Sequence, residues 1–352
     1  MTNKLSLSLS LVFGLLSTVT LAQNAIQAAM VDNADVFMYY DLQGLNDSAW
    51  KKAVDSSQTP EEKAAAEEQF ALFTDATGLE ADDISAIAMS MDIDGIDFTS
   101  QDPSQLETAS IVMAVESKKE LTLEQMKSAL DTVSESTEGP KPTIELTEVE
   151  GIPVLQLTGT ATPGGMDKAY AALSKDGKTA IISFNVSSLQ GALARLATTT
   201  PAVISEEMAQ ASASVEDQQM GLTVILPEAV KQMIQQGVQA STAQGGMAGA
   251  MLMPFATTES LQVSMKADED LSLGVSLNLG VPANAQQAAG MIQSMLPMMM
   301  MGLQGQAGPE AMNLMNKIEI SAEEKNVMLK ISLTAEESNM IFSTAAPALN
   351  ME

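Results

Sequence analysis

The chain has 352 residues, no cysteine and no histidine, and a formal net charge of −28. The missing side chains exclude disulfides, Ser-His-Asp and Cys-His catalysis and imidazole-bound zinc, while the negative charge argues against binding to nucleic acid or to an anionic membrane surface. With 45% hydrophobic residues, the chain can bury a substantial core and is long enough for about two domains.

The first 22 residues have the organisation of a secretory signal peptide. A polar start with one lysine, Lys4, precedes an apolar run over 5–21 and the small residue Ala22. This order is typical of signal peptides, and the run is short for a membrane-spanning helix. We therefore predict cleavage after Ala22 and a soluble, exported chain in the periplasm or outside the cell. An uncleaved membrane anchor is the alternative.

The spacing of apolar residues predicts a series of strands and helices up to residue 200. Thr122 and Gln125 form a capping-box pattern, and Asp176-Gly177 favours a tight hairpin turn. Alternation over 84–93 predicts a strand with one buried face. In chain order, we predict a strand over 34–42, helices over 46–54 and 59–77, strands over 84–93 and 109–116, a helix from Thr122, hairpins of 143–149 with 152–157 and of 169–174 with 179–184, and a helix over 186–197.

The second part of the chain repeats much of this order. We predict a strand over 220–226, a helix opened by Pro227, a hairpin of 261–267 with 271–279, a helix with an apolar face from 285 to 299, a hairpin of 318–321 with 327–333, and a short helix capped by Thr334. The segment 143–157 resembles 317–333, and 121–133 resembles 282–296. These similarities predict an internal duplication, with chance resemblance between two α+β segments as the alternative.

We therefore expect an α+β fold of two weakly similar repeats, each with the order strand, helix, hairpin, helix, hairpin. They would form antiparallel sheets with helices packed on one face. The first repeat would cover 23–200 with an extra hairpin and helix, and the second, methionine-rich repeat would cover 201–352. The two copies either face each other across a pseudo-twofold axis or join their sheets edge to edge.

One short pattern resembles a catalytic motif. Ser48-Ala49-Trp50-Lys51 is similar to the Ser-x-x-Lys of serine acyl-enzymes, in which one helical turn places a lysine amine beside the serine hydroxyl. Lys178-Thr179 would correspond to a second motif of those enzymes, but Ala180 replaces its glycine and a third motif is missing. The alternative is a capped surface helix that carries a lysine.

Acidic side chains gather at two predicted turns. Asp92, Asp94 and Asp97 follow one strand, and the acidic run 268–270 joins the strands of another hairpin. Oxygen-rich turns can bind Ca²⁺, but the spacing does not match an EF-hand loop, and aspartate is a residue that turns select in any case. A glycosidase needs a pair of carboxylates, and nothing in the sequence singles out one pair.

Methionine is unusually frequent, with 26 residues against 3% aromatic residues. Copper-binding methionines usually occur with histidine or cysteine, so we predict no metal and no cofactor. Because methionine adapts to varied shapes, we predict a groove for an apolar ligand or partner helix between the helix 291–301 and the loop 245–255. The candidate lining residues are Met251, Phe255, Met291, Ile292, Met295 and Met299. Ordinary core packing is the alternative.

These observations predict an exported, non-enzymatic protein that binds an apolar ligand or a protein partner in the cell envelope. A hydrolase that uses carboxylates or the Ser48–Lys51 pair is one alternative. A structural or assembly protein of the envelope is another, since a duplication would supply two similar surfaces.

Overall fold

The structure is a computed structural model. It describes residues 30–57, 77–94, 109–136, 141–149, 151–159, 168–198, 202–213, 218–243, 251–303 and 316–338, together with single residues at 71, 74, 75, 96, 200 and 313. The predicted signal peptide and most of the predicted helix over 59–77 lie outside these residues. The described part combines helices with antiparallel sheet, which confirms the α+β class.

Twelve strands form one antiparallel sheet in the order β11-β12-β10-β9-β8-β1-β2-β3-β7-β6-β5-β4. The strands are β1 (Val36–Tyr40), β2 (Ile84–Asp92), β3 (Ser110–Ser117), β4 (Thr143–Val149), β5 (Ile152–Thr158), β6 (Lys168–Leu173), β7 (Thr179–Ser183), β8 (Met220–Ile225), β9 (Ser260–Ala267), β10 (Leu271–Asn278), β11 (Glu319–Glu323) and β12 (Asn326–Leu333). Every strand predicted from the sequence is present.

The helices lie between these strands in the chain. They are α1 (Leu42–Asp47), α2 (Ala49–Ser57), α3 (Leu123–Ser136), α4 (Val186–Thr198), α5 (Glu206–Ala213), α6 (Glu228–Ala243) and α7 (Pro282–Leu303), with 3-10 helices at Ala81–Asp83 and Met253–Thr257 and a helical turn over 335–338. The single helix predicted over 46–54 is divided between α1 and α2, and α5 was not predicted.

Local hydrogen bonding and backbone conformation account for two features that the sequence predicted, the start of α3 and the turn between β6 and β7. The Thr122 backbone N–H donates to the Gln125 side chain at 2.9 Å, and the Gln125 N–H donates to the Thr122 hydroxyl at 3.2 Å. This reciprocal pair is the capping box that the sequence predicted. Gly177 has a φ of 69° in the β6–β7 turn, a conformation that glycine adopts without a steric penalty.

The two parts of the sheet meet at β1 and β8, which pair antiparallel with Met38 opposite Leu222. β1 is the first strand of the segment 23–200, and β8 is the first strand of 201–352. The strands of the two segments are therefore joined edge to edge in a single sheet. From this central pair the order runs outward as β1-β2-β3 on one side and β8-β9-β10 on the other.

One row of facing residues crosses the whole sheet and is apolar on every strand. Its members, from β11 to β4, are Ile320, Leu329, Val275, Val263, Leu222, Met38, Met89, Met113, Ile182, Ala171, Leu155 and Leu146. Residues directly opposite each other on paired strands point to the same face. One face of the sheet is therefore hydrophobic along this row over its full width.

The other face is divided between a covered and a polar part. Ala86, Ala88 and Ser90 of β2 are buried on this face, so the prediction of one buried face for this strand was wrong. The second buried face was missed because its residues, two alanines and a serine, are small and do not form an apolar pattern of their own. On β9 and β10 the same face carries residues such as Gln262 and Ser276.

Helices pack on both faces of the sheet, which differs from the predicted packing on one face. Helix α3 packs against β4 and β5 in the cluster that includes Ile182, whereas α4 packs against β3, β6 and β7 in the cluster that includes Ile181. Consecutive strand residues point to opposite faces, so α3 and α4 lie on opposite sides. Helices are needed on both sides of the sheet because the strands β2, β3 and β7 bury side chains on both faces.

Candidate functional site

The Ser48–Lys51 pair does not have the geometry of a serine acyl-enzyme. The Ser48 hydroxyl donates to the Leu45 carbonyl at 2.6 Å and accepts the Lys51 backbone N–H at 3.0 Å. The Lys51 amine instead contacts Asp55 Oδ2 at 2.6 Å. Ser48 therefore caps the start of α2, and the lysine forms a pair with the carboxylate one turn later. The predicted acyl-enzyme alternative is wrong for this serine and lysine.

The acidic turns do not form a metal site within the described residues. Among these residues, no group of three side chains of the metal-ligating types is close enough to hold a metal ion. Asp92 accepts the backbone N–H of Asp94 at 3.0 Å, as in an ordinary turn, and Asp268 lies 3.2 Å from the Lys266 amine. Asp97 lies outside the described residues.

Among the described residues, three carboxyl groups have raised pKa values, and burial is the main cause for each of them. Burial raises the pKa of Asp41 to about 6, with a smaller contribution from Asp47. Burial also raises the pKa of Glu116, reinforced by the charge of Asp176, and that of Asp35, where Asp94 and Asp92 add to it. None of the three is shifted by another of the three, so they do not form a coupled catalytic pair.

We expect Asp41→Asn to stabilise the protein near neutral pH. Asp41 accepts the Gly44 N–H at 2.9 Å as the N-cap of α1, and asparagine caps equally well. Because the folded-state pKa of about 6 exceeds the ordinary 3.8, the folded chain binds more protons, and its stability falls as pH rises between those values. A shift of this size corresponds to about 3 kcal/mol, but partial exposure reduces the expected gain to about 1 kcal/mol.

Urea unfolding followed by far-UV circular dichroism would measure this effect at about pH 7.5 and about pH 4. The gain should be present at the higher pH and absent at the lower one. Asp270→Asn provides the control, since this aspartate is exposed in the β9–β10 turn. An equal gain from both substitutions would show that the effect comes from net charge and not from the buried carboxyl.

The strongest candidate binding site is an open cleft of about 510 Å³ between α6 and the 3-10 helix Met253–Thr257. Its lining residues are Gln235, Val238, Gln239, Thr242, Met253, Ala256 and Thr257. The four residues from α6 follow the spacing i, i+3, i+4, i+7 and therefore share one face of that helix. Volumes of roughly 300–1,000 Å³ are typical of small-molecule pockets.

The walls of the cleft are held by contacts outside it. The Thr257 hydroxyl donates to the Leu279 carbonyl at 2.5 Å and accepts the Asn284 amide at 2.8 Å. Phe255, in the same 3-10 helix, packs in the cluster beneath α7 with Leu277 and Leu329. These contacts fix the 3-10 helix against the apolar face of the sheet, so one wall of the cleft is preformed.

The predicted groove residues are distributed over different environments. Phe255 and Ile292 pack in the cluster beneath α7, whereas Met251, Met291 and Met295 are half-buried. The side chain of Met299 lies outside the described residues. The predicted loop contributes Met253 to the lining of the cleft, and the other described lining residues come from α6 and from the 3-10 helix, not from the methionine-rich part of α7. The glutamines of α6 gave no specific signal in the sequence.

Comparisons with known proteins provide little further information. No known protein family matches the sequence, and no curated protein matches it. A solved structure entitled "Structure of crystal form I of TP0453" aligns with 90% of this chain and 96% of that chain, at 10% identity and a TM-score of 0.39. A similarity this low supports no inference about function. Within the described residues, no helix has the length and hydropathy needed to cross a membrane.

Proposed function

We propose that this chain is an exported, non-catalytic binding protein of the cell envelope that holds a small molecule with an apolar part in the cleft between α6 and the 3-10 helix. Export rests on the signal-peptide pattern of residues 1–22. Binding rests on the cleft itself, whose lining combines the apolar residues Val238, Met253 and Ala256 with uncharged polar groups. That combination is typical of ligand pockets, in which a few polar groups orient a largely apolar molecule.

Among the described residues, none that lines the cleft is ionisable, which favours binding over catalysis. General acid–base and nucleophilic mechanisms need a titratable or activated side chain within hydrogen-bond reach of the substrate. The lining residues are glutamine, threonine, valine, methionine and alanine. The serine and lysine suggested by the sequence as a catalytic pair are occupied in capping and in an ion pair.

We also propose that the segments 23–200 and 201–352 derive from one duplicated unit. The strand order β8-β9-β10-β12-β11 corresponds to β1-β2-β3-β5-β4 if the hairpin β6–β7 is an insertion between β3 and β5. Pairing of the first strands of both segments is what an ancestral twofold dimer would produce. Superposition of the two sets of strands tests this proposal, and a mismatch in strand direction or in connecting helices would exclude it.

We expect Met253→Asp to weaken binding of the uncharged apolar dye Nile red by at least tenfold. Met253 is 54% exposed and lines the cleft. A carboxylate at this position would lose its hydration when the ligand enters, which is unfavourable without a partner. Fluorescence titration of the purified chain would measure the dissociation constants.

Leu252→Asp is the matched control, since Leu252 precedes Met253, is 45% exposed, and does not line the cleft. Both substitutions add one negative charge at an exposed position, so both proteins should fold with stability close to that of the parent. Equal loss of dye binding in both variants, or unchanged binding in both, would show that the cleft is not the binding site.

A further inference from the structure

We infer that the cleft selects uncharged single-chain amphiphiles whose head group carries hydroxyl or amide groups, of which a monoacylglycerol is a simple example. This inference rests on the proposed function and names the ligand class for the same site. It follows from three features of the cleft: two glutamine amides on α6, an apolar wall that includes a methionine, and the lack of charged side chains among the described lining residues.

The polar wall is formed by Gln235 and Gln239, which are one turn apart on α6. Four residues of helix separate their positions by about 6 Å along the axis. Each amide has two N–H donors and a carbonyl acceptor, and neither side chain is hydrogen-bonded to another described residue. Both glutamines are exposed. Their amides are therefore solvated and available to a ligand with several hydroxyl groups.

The threonines of the lining contribute less hydrogen-bonding capacity. The Thr257 hydroxyl is engaged both as donor, to the Leu279 carbonyl, and as acceptor, from the Asn284 amide. The Thr242 hydroxyl donates to the Val238 carbonyl at 2.8 Å, which leaves it able only to accept from a ligand. Recognition of a head group that both donates and accepts therefore depends mainly on the two glutamines.

The apolar wall suits a flexible alkyl chain. Val238 is 8% exposed and lies on the same face of α6 as the two glutamines. Met253, on the opposite wall, is 54% exposed. Methionine adjusts its shape through three rotatable bonds and tolerates ligands of irregular outline. An alkyl chain therefore contacts apolar atoms on both sides while its head group meets the amides.

The charges near the cleft disfavour an anionic head group. None of the lining residues that the structure describes is charged, and the chain as a whole carries a formal net charge of −28, which repels anions. Lys231 is the cation to consider, because it precedes Gln235 by one turn on the same stripe of α6. It is half-buried and does not line the cleft, and a lysine outside the lining interacts only weakly with a partly hydrated carboxylate.

Three probes with the same acyl chain test the inference by displacement of Nile red from the purified chain: 1-decanoylglycerol, decanoate and methyl decanoate. We expect 1-decanoylglycerol to bind at least tenfold more tightly than either of the others. The double variant Gln235→Leu with Gln239→Leu should lose that preference over methyl decanoate. Gln236→Leu is the control, since Gln236 is exposed on the same helix and does not line the cleft.

The outcomes separate this inference from the proposed function. Equal binding of all three probes, with sensitivity to Met253→Asp, would keep the binding site and overturn the head-group selection. Tightest binding of decanoate, abolished by Lys231→Met, would overturn it in favour of an anionic ligand. Failure of every probe and of the dye to bind in a Met253-dependent manner would overturn the proposed function itself.

Discussion

Replacement of Trp50 by alanine is expected to lower the free energy of unfolding by about 3–5 kcal/mol, the range found for removal of a large aromatic side chain from a core. Trp50 is 6% exposed and packs with Leu45, Ala267, Leu271 and Leu333. Its indole N–H donates to the Ser338 hydroxyl at 3.1 Å, and Ser338 is completely buried. The substitution therefore leaves a cavity and removes the N–H group that donates to the buried Ser338 hydroxyl.

The size of this effect follows from the position of α2 in the fold. Helix α2 lies between β1 and β2 in the chain, yet its tryptophan packs on β9, β10 and the last helical turn. The Trp50 backbone N–H also donates to the Asp268 carbonyl at 2.8 Å. The side chain thus connects elements more than 200 residues apart, in addition to the pairing of β1 with β8.

Urea unfolding followed by far-UV circular dichroism would measure the change for Trp50→Ala. Trp50→Phe is the control: it keeps a six-membered aromatic ring but loses the indole N–H and part of the buried volume, so a smaller cost of about 2 kcal/mol is expected. Since the chain has a single tryptophan, the fluorescence of the parent protein reports directly on this contact. A cost below that of Trp50→Phe would show that α2 does not dock as the structure has it.

Secondary structure was predictable where the signal is local. The capping boxes at Thr122 and Thr334 consist of residues three positions apart, and both are present as reciprocal hydrogen bonds. Hairpin turns at Gly151 and Gly177 depend on positive φ angles that glycine favours. Helix α5 was missed because it is short and Ser205, which accepts the Met208 N–H, is not followed by a capping-box acid at the third position.

Features that depend on distant partners were not predictable in the same way. The alternation of apolar residues in β1 and β8 is the same whether these strands pair or remain at an edge, so the joining of the two segments into one sheet was left open. Periodicity also does not distinguish a core face from a groove face. Phe255 and Ile292 were candidate groove residues, and the structure places both in the packed cluster beneath α7.

The cleft could not be predicted from the sequence either, because it also depends on segments that meet only in the folded chain. Its two walls come from α6 and from a 3-10 helix, and neither Gln235 nor Gln239 differs from any other surface glutamine in the sequence. The absence of histidine and cysteine could be read from the sequence, whereas the engagement of Ser48 in a helix cap could not.

We expect Leu155→Ala to destabilise the protein by about 3 kcal/mol and Leu146→Ala by less than about 0.5 kcal/mol. These leucines face each other on β5 and β4 and belong to the same apolar row across the sheet. Leu155 is completely buried, whereas Leu146 is 53% exposed on the outermost strand. Helix α3 supplies the cover for Leu155 through Leu123, Met126 and Leu130.

The pair of substitutions compares a buried position with an exposed one in the same apolar row. Both remove the same atoms from the same type of residue, but one lies on the edge strand β4 and the other on the interior strand β5, so the packing that each position provides differs. The difference in unfolding free energy, measured in urea by circular dichroism, therefore reports what α3 and the interior contribute. Similar losses at both positions would mean that β4 is covered in solution by a further segment or a second chain, and the apolar row would then continue into an interface beyond Leu146.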